Sequence, residues 1–314
     1  MATLMNPADV QTIAVIGVGA IGASWASLAL SQGYSVIASD PVEGAHERLV
    51  DAVTAQTGSA PPADRLVFTR DVADAAGRAD LVIEAGPERL EVKRELFATL
   101  DAAARPEVLL TSSTSGLLPS SFQSACTAHP ERVLVAHPFN PPHLMPLVEI
   151  VGGEATSPEA IEAAMATFAH LGKTPIHLRA ELTGHVANRL QAALWREAYH
   201  LVSSGAVSAA DVDTAIAAGP GLRWALLGPF ATQHLSGGPG GFAHFVDHLG
   251  GPMQDWMDNL GSPRLTPELV ASLTASVDAE FTGVDVEELR GRRDAALREL
   301  FALKARHDLQ EGPA

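Results

Sequence analysis

"AVIGVGAIGASW", residues 14–25, decides how this chain folds. A β-branched run ("TIAVI", 12–16) leads into Gly17-x-Gly19-x-x-Gly22, and an apolar, helix-compatible stretch follows. Glycine spacing by itself is weak evidence, because loops use glycine freely. Between a strand and a helix, however, each glycine answers a separate steric demand. The first turns the chain, the second admits a pyrophosphate to the backbone, and the third lets helix and strand pack closely. The free N–H groups and dipole of the helix start then favour an anion. Gly17, Gly19, Ala20, Ile21 and Gly22 are therefore the candidate pyrophosphate loop. Asp40 closes the next strand-like run, "SVIAS" (35–39), where a carboxylate accepts hydrogen bonds from ribose hydroxyls and repels a 2′-phosphate. The expected cofactor is NAD rather than NADP. A flavin would need a further cofactor-holding region, and none is visible.

Working outward, short β-branched runs alternate with helical stretches up to residue 182, the pattern of a parallel sheet with crossover helices. Strands are predicted at 12–16, 35–39, 66–69, 80–85, 108–113, 133–137, 147–151 and 174–178, with a helix over 89–104. Beyond 182 the strand signals stop. A helix is predicted from a Thr183 N-cap to Gly205, followed by helices over 208–218, 240–260, 265–280 and 285–308. The fold class expected is α/β, with an N-terminal Rossmann-type doubly wound domain (1–182) followed by an all-α domain (183–314).

Composition narrows the function classes. A formal charge of -16 is the wrong sign for binding a phosphate backbone, so neither nucleic acid nor a membrane is an expected partner. No apolar run is long enough to span a bilayer, and the N-terminus lacks the features of a signal peptide, so a cytoplasmic location is expected. The single cysteine, Cys126, excludes an intramolecular disulfide and argues against a cysteine-based metal site; no metal is expected.

The chemistry is concentrated in "AHPFNPPHLMPLVEIVGG" (136–153). Glu149 lies inside an apolar strand-like run, where a carboxylate is costly to bury without a partner. His137, twelve residues earlier, is the obvious one. A histidine suits proton transfer to or from a secondary alcohol, and a carboxylate on its far nitrogen would fix the tautomer and stabilise the imidazolium. The plain alternative is a structural histidine beside a separately paired glutamate.

"SSTSGL" (112–117), "HPFNP" (137–141), "LVEIV" (147–151) and "ANRL" (187–190) follow one another in an order that resembles the L-3-hydroxyacyl-CoA dehydrogenase superfamily. The likeness covers essentially the whole chain. It implies that His137 is the general acid/base with Glu149 as its partner, that Ser115 and Asn188 hold the substrate oxygen, and that Asn140 lies near the nicotinamide. In "PERLEVK", Glu88 and Lys93 match positions that contact NAD. Without the resemblance, Glu88 reads as a residue of a helix's first turn and Lys93 as a solvated side chain. The resemblance also implies a homodimer formed through the helical domain.

Two features bear on the substrate. The region after the second strand, 43–67, has no lysine and several acids, a poor surface for polyanionic CoA. "GPGLRWALLGPF" (219–230) is similar to the branch containing L-gulonate 3-dehydrogenase (lambda-crystallin) and L-carnitine dehydrogenase. Arg223 then reads as a ligand for a free carboxylate or as a salt-bridge residue. Trp224 reads first as core packing, with closure over a cationic group as the alternative. The leading expectation is an NAD-dependent dehydrogenase of a free L-3-hydroxy acid. A 3-hydroxyacyl-CoA dehydrogenase, a polyketide ketoreductase and an NAD-binding structural protein remain the alternatives.

Overall fold

The computed structural model describes residues 3–309. They divide into two compact units, the break falling between Asn188 and Arg189. The first unit is built on eight strands: β1 (Thr12–Ile16), β2 (Ser35–Ser39), β3 (Leu66–Thr69), β4 (Leu81–Glu84), β5 (Leu109–Ser112), β6 (Val133–Pro138), β7 (Leu147–Gly152) and β8 (Thr174–Leu178). They form one sheet in the order β3-β2-β1-β4-β5-β6-β7-β8. All neighbours are parallel except β6 and β7, which run antiparallel. The helices of this unit are α1 (Ala20–Ser31), α2 (Ala45–Thr57), α3 (Val72–Gly77), α4 (Leu90–Ala103), α5 (Pro119–Gln123) and α6 (Pro158–His170).

Side chains alternate across a strand, so the two buried faces can be read off by parity. Ile13, Val15, Leu134, Ala136, Val148 and Ile150 pack with Trp25 of α1, Leu49 of α2 and Phe168 of α6. Ala14, Ile16, Val82, Leu110, Val133, Val135 and Val151 face the opposite way, onto Phe97 and Leu100 of α4 and Phe122 of α5. The same parity sends Glu84, Ser112, His137 and Glu149 to this second face. They lie where its apolar layer gives out, at the carboxyl ends of the parallel strands. The strand order reverses between β1 and β4 at that same edge, the usual ligand position in open α/β sheets.

The turn from β1 into α1 depends on glycine for want of space. Gly17 has φ +88°, and a Cβ there would lie 2.8 Å from the Ala85 carbonyl oxygen. A Cβ on Gly22 would stand 1.8 Å from the Gly17 oxygen.

The second unit is helical, with α7 (Ala187–Ser203) starting at the end of the first unit. It continues through α8 (Ala209–Ala218), α9 (Pro220–Leu226), α10 (Pro229–Ser236), α11 (Gly241–Asp258), α12 (Pro267–Glu280) and α13 (Val286–Arg306). Two expectations are corrected here. The helix expected from Thr183 starts only at Ala187, because Gly184 and His185 both take positive φ and divert the chain. The segment "GPGLRWALLGPF" contains α9 and the start of α10. Proline at the first position of each, after Gly219 and Gly228, is a regular helix-start signal. Trp224 is 44 % exposed and is not core packing.

No large apolar side chain among the described residues of the second unit is buried, and Phe230, Leu235, Trp256 and Leu265 are each more than half exposed. No helix among the described residues is long and apolar enough to cross a membrane.

Gly22→Ala is expected to destabilise the protein by at least the ~1–3 kcal/mol typical of overpacking, because the backbone oxygen it would strike cannot rotate away. A thermal melt of the variant, read by circular dichroism, checks this.

Candidate active site

Gly19 precedes α1 with no side-chain cap, so the first N–H groups of that helix have no side-chain acceptor. A Cβ on Gly19 would meet nothing within 4 Å. Open space in front of uncapped amides is a cradle for a pyrophosphate, and the residues present fit NAD. Asp40 lies at the end of β2, its Oδ2 accepting from Val18 N (3.0 Å) and its Oδ1 from Val42 N (2.9 Å). Its charge is thereby fixed beside the glycine loop with lone pairs to spare.

At the end of β4, Glu84 is fully buried and accepts from Lys93 Nζ at both oxygens (2.8 Å each), from Ser112 Oγ (2.6 Å) and from Gly86 N (2.7 Å). Lys93 is thus not solvated, as its bare sequence context implies, but buried in an ion pair. A second carboxylate, Glu88 Oε2, lies 3.7 Å from its ammonium. The other oxygen of Glu88 accepts from Thr114 Oγ1 (2.5 Å), Ser115 N (3.0 Å) and Gly116 N (3.1 Å). It gathers the 113–117 loop around one atom. Ser115 is exposed on that loop, and its hydroxyl makes no hydrogen bond to the described residues.

His137 and Glu149 are opposed residues on antiparallel β6 and β7. The His137 Nδ1–H donates to Glu149 Oε2 at 2.7 Å, and both side chains are buried. The other Glu149 oxygen accepts from Val186 N (2.7 Å) and Ala187 N (2.9 Å) at the start of α7. The carboxylate therefore caps the helix that Thr183 was expected to cap, which favours its negative charge. Burial raises the carboxyl pKa, but the hydrogen bonds from His137 and the Ala187 and Val186 amides outweigh it and hold the group below its usual range. Asn188 follows in the first turn of α7, half-buried, its amide making no hydrogen bond to the described residues.

Asn140 is exposed on the loop joining β6 to β7. Lys173 holds that loop by donating to the carbonyls of Pro142 and Met145, with its ammonium 5.0 Å from the centre of the Trp25 ring. Burial without a carboxylate pushes this lysine down to about 7. The same loop meets α1, where the His143 amide donates to Ser24 Oγ (2.8 Å).

In the second unit, Arg223 and Trp224 are exposed on α9, and Arg223 has no ion pair with the described residues. Arg223 lines a shallow cavity of about 270 Å³ with Leu226, Leu227, Thr232, Leu235 and Ser236.

Sequence reasoning missed Glu84, Lys173 and His185. His185 stands in "TGHVANRL", beside the motif already singled out, but its burial depends on a left-handed turn that periodicity cannot reveal. Among the described residues, no group of histidine, cysteine and acidic side chains is arranged to hold a metal.

A dinucleotide cradle and a buried imidazole at one edge of one doubly wound sheet mark an NAD-linked dehydrogenase. Comparison with known families makes the assignment specific. The NAD-binding domain of 3-hydroxyacyl-CoA dehydrogenase matches residues 12–182, and the C-terminal domain of the same family matches 184–269. The chain belongs to the 3-hydroxyacyl-CoA dehydrogenase family and is an NAD-dependent dehydrogenase of the 3-hydroxyacyl/3-hydroxy acid class. An L-carnitine dehydrogenase of Bacillus cereus is 42 % identical over 95 % of this chain and 94 % of its own. A 3-hydroxyacyl-CoA dehydrogenase of Gibberella moniliformis is 44 % identical over 94 % and 95 %. Among solved structures, the NAD-dependent 5-formyl-3-hydroxy-2-methylpyridine 4-carboxylic acid 5-dehydrogenase aligns at a TM-score of 0.77 with 27 % identity, covering 97 % of this chain and all of that one.

Gly19→Ala is expected to fold with an unchanged melting temperature, because its methyl meets nothing. It should weaken NAD binding about tenfold, or ~1.4 kcal/mol, by occupying the cradle. Titration of NADH fluorescence checks the second outcome.

Proposed function

We propose that this protein interconverts an L-3-hydroxy acid and its 3-keto acid with His137 and Glu149 as the proton-transfer unit. The carrying observation is the 2.7 Å bond between them, backed by two amides on the far carboxylate oxygen. Bound NAD supplies the hydride acceptor. With Nδ1–H committed to Glu149, the other ring nitrogen of His137 is the one left to take the hydroxyl proton, and the adjacent carboxylate stabilises the imidazolium that results. Ser115 Oγ and the Asn188 amide donate to the substrate oxygen; neither is committed to another group among the described residues, and both stand on segments tied to the pair. On the cofactor side, the glycine loop takes the pyrophosphate and Asp40 the ribose. Glu88 and Lys93 hold the neighbouring loop ready for NAD, and Asn140 faces the nicotinamide.

For the substrate we favour a small free acid of the carnitine type. Arg223 is its carboxylate ligand, supported by its exposure, its lack of an ion pair among the described residues and its place at a cavity. Exposed Trp224 suits a quaternary ammonium group. The absence of lysine over 43–67 and the similarity to L-carnitine dehydrogenases point the same way. The uncovered apolar side chains of the second unit support a homodimer formed there, and the composition supports a cytoplasmic location.

Initial-rate NADH formation at mildly alkaline pH, comparing L-carnitine, L-gulonate and L-3-hydroxybutyryl-CoA, tests the substrate. Oxidation of the free acids alone is expected, and Arg223→Met should raise the KM for them. Activity confined to the thioester overturns the free-acid reading. Glu149→Gln is expected to lower turnover by at least about tenfold, toward the ~10²–10⁴-fold range of general acid/base catalysis, while still binding NAD. Wild-type turnover in that variant rules out the pair.

A further inference from the structure

His185 is fully buried, takes a positive φ of 50°, and no role has yet been assigned to it. Its ring centre lies 4.9 Å from that of His137, tilted by 39°. Its Nε2 is 3.2 Å from the Thr114 carbonyl oxygen, which only an N–H can satisfy, so Nε2 carries the proton. Nδ1 is buried with no partner among the described residues. A second proton would therefore create a buried N–H with no acceptor, at the face of the histidine that becomes positive during alcohol oxidation. The geometry favours a neutral ring.

The position matters as much as the charge. Thr114 immediately precedes Ser115, and the two residues after His185 supply the amides that hold Glu149. Asn188 follows in the next turn. One side chain thus links the loop of Ser115, the ring of His137 and the start of α7. The groups around it are His137 from β6, Glu149 from β7 and Glu88 ahead of α4; burial lowers its pKa, the Thr114 bond opposes this, His137 adds to the lowering, and the two acids oppose it.

We propose that His185 is a positioning residue of the proton-transfer site, working as a neutral Nε2–H imidazole that locks the Ser115 loop and the His137 ring in register and disabling the site when protonated. This rests on the reading of His137 and Glu149 as the proton-transfer unit. In alcohol oxidation both histidines must then be neutral, so the acid limb of log(kcat/KM) against pH should reach a slope of two, one proton for each ring. Ketone reduction needs His137 protonated but His185 neutral, so its rate should fall again at low pH.

The test uses wild type, His137→Asn, His185→Gln and His185→Phe with NAD and whichever of L-carnitine or L-3-hydroxybutyryl-CoA the wild type oxidises faster. His185→Gln can keep a donor for Thr114 but cannot titrate; it should retain most of kcat and show a slope of one. His185→Phe keeps a ring and loses the donor; it should lose about tenfold in kcat through misalignment, with the KM for NAD unchanged. A two-proton limb persisting in both variants, or wild-type kcat in His185→Phe, overturns the proposal. If His137→Asn is as active as wild type, the proton-transfer reading itself falls, and this proposal with it. An inactive His137→Asn beside unaltered His185 variants removes the His185 proposal alone. Should neither His185 variant fold, ¹⁵N-histidine NMR of the wild type decides. A neutral Nε2–H signal at pH 7 supports the proposal, and an imidazolium or Nδ1–H form overturns it.

Discussion

Burial of the Glu149 carboxylate is the constraint from which the site is organised. An ionised carboxylate in a sheet interior is tolerated only when its charge is matched by donors. Three are present: the His137 ring from the neighbouring strand and two amides from a helix start. The ring serves one carboxylate oxygen and the two adjacent amides, Val186 and Ala187, serve the other. The side chain that pairs with His137 is therefore also the one that anchors the start of α7, and Asn188 follows in the first turn of that helix. Removing one partner of such a buried pair typically costs ~3–5 kcal/mol, so the geometry of the proposed proton-transfer pair and the stability of the fold are coupled here.

A second buried pair, Lys93 with Glu84, organises the neighbouring strand ends as the first organises β6, β7 and the start of α7. It saturates the lysine with carboxylate oxygens and leaves Glu88 to gather the Ser115 loop. Parity explains why both pairs occupy one edge. On that face Val82 precedes Glu84 on β4 and Val135 precedes His137 on β6, whereas on antiparallel β7 Val151 follows Glu149; these valines belong to the layer packed with α4 and α5, and the polar residues stand at its edge. The apolar alternation of the sheet thus builds the core, and the same face turns polar at one edge.

Much of this was legible in the chain itself. All eight strands are marked by β-branched runs bounded by turn residues, and the glycine loop declares its own position. The strand-bound Glu149 signalled a buried partner because nothing else makes it affordable. What periodicity could not supply were contacts made across the fold. Lys93 looks solvated in "LEVKREL" because its acceptor sits on β4. Thr183 looks like an N-cap because the true acceptor is a glutamate on β7, far from it in sequence. The short helices α9 and α10 were hidden by glycines, although the proline after each glycine was a readable start. His185 is the clearest case: a left-handed backbone and a carbonyl partner on another loop decide its burial, and neither has a local signature.

The reversal between β6 and β7 is what makes a histidine–glutamate pair possible with so short a connection. In a parallel sheet only strand ends meet at the carboxyl edge, so a residue early in the next strand would lie at the opposite edge. Antiparallel pairing brings the third residue of β7 beside the fifth of β6. The connecting loop then has to lie at the active edge, and there it is held by Lys173 and Ser24 rather than left free. A sheet that stayed parallel throughout could place a dinucleotide at this edge but would need a remote segment to supply the carboxylate. The turn in strand direction thus lets a nucleotide-binding fold bury a histidine–glutamate pair, the geometry that the proposed proton transfer requires, within the register of two neighbouring strands.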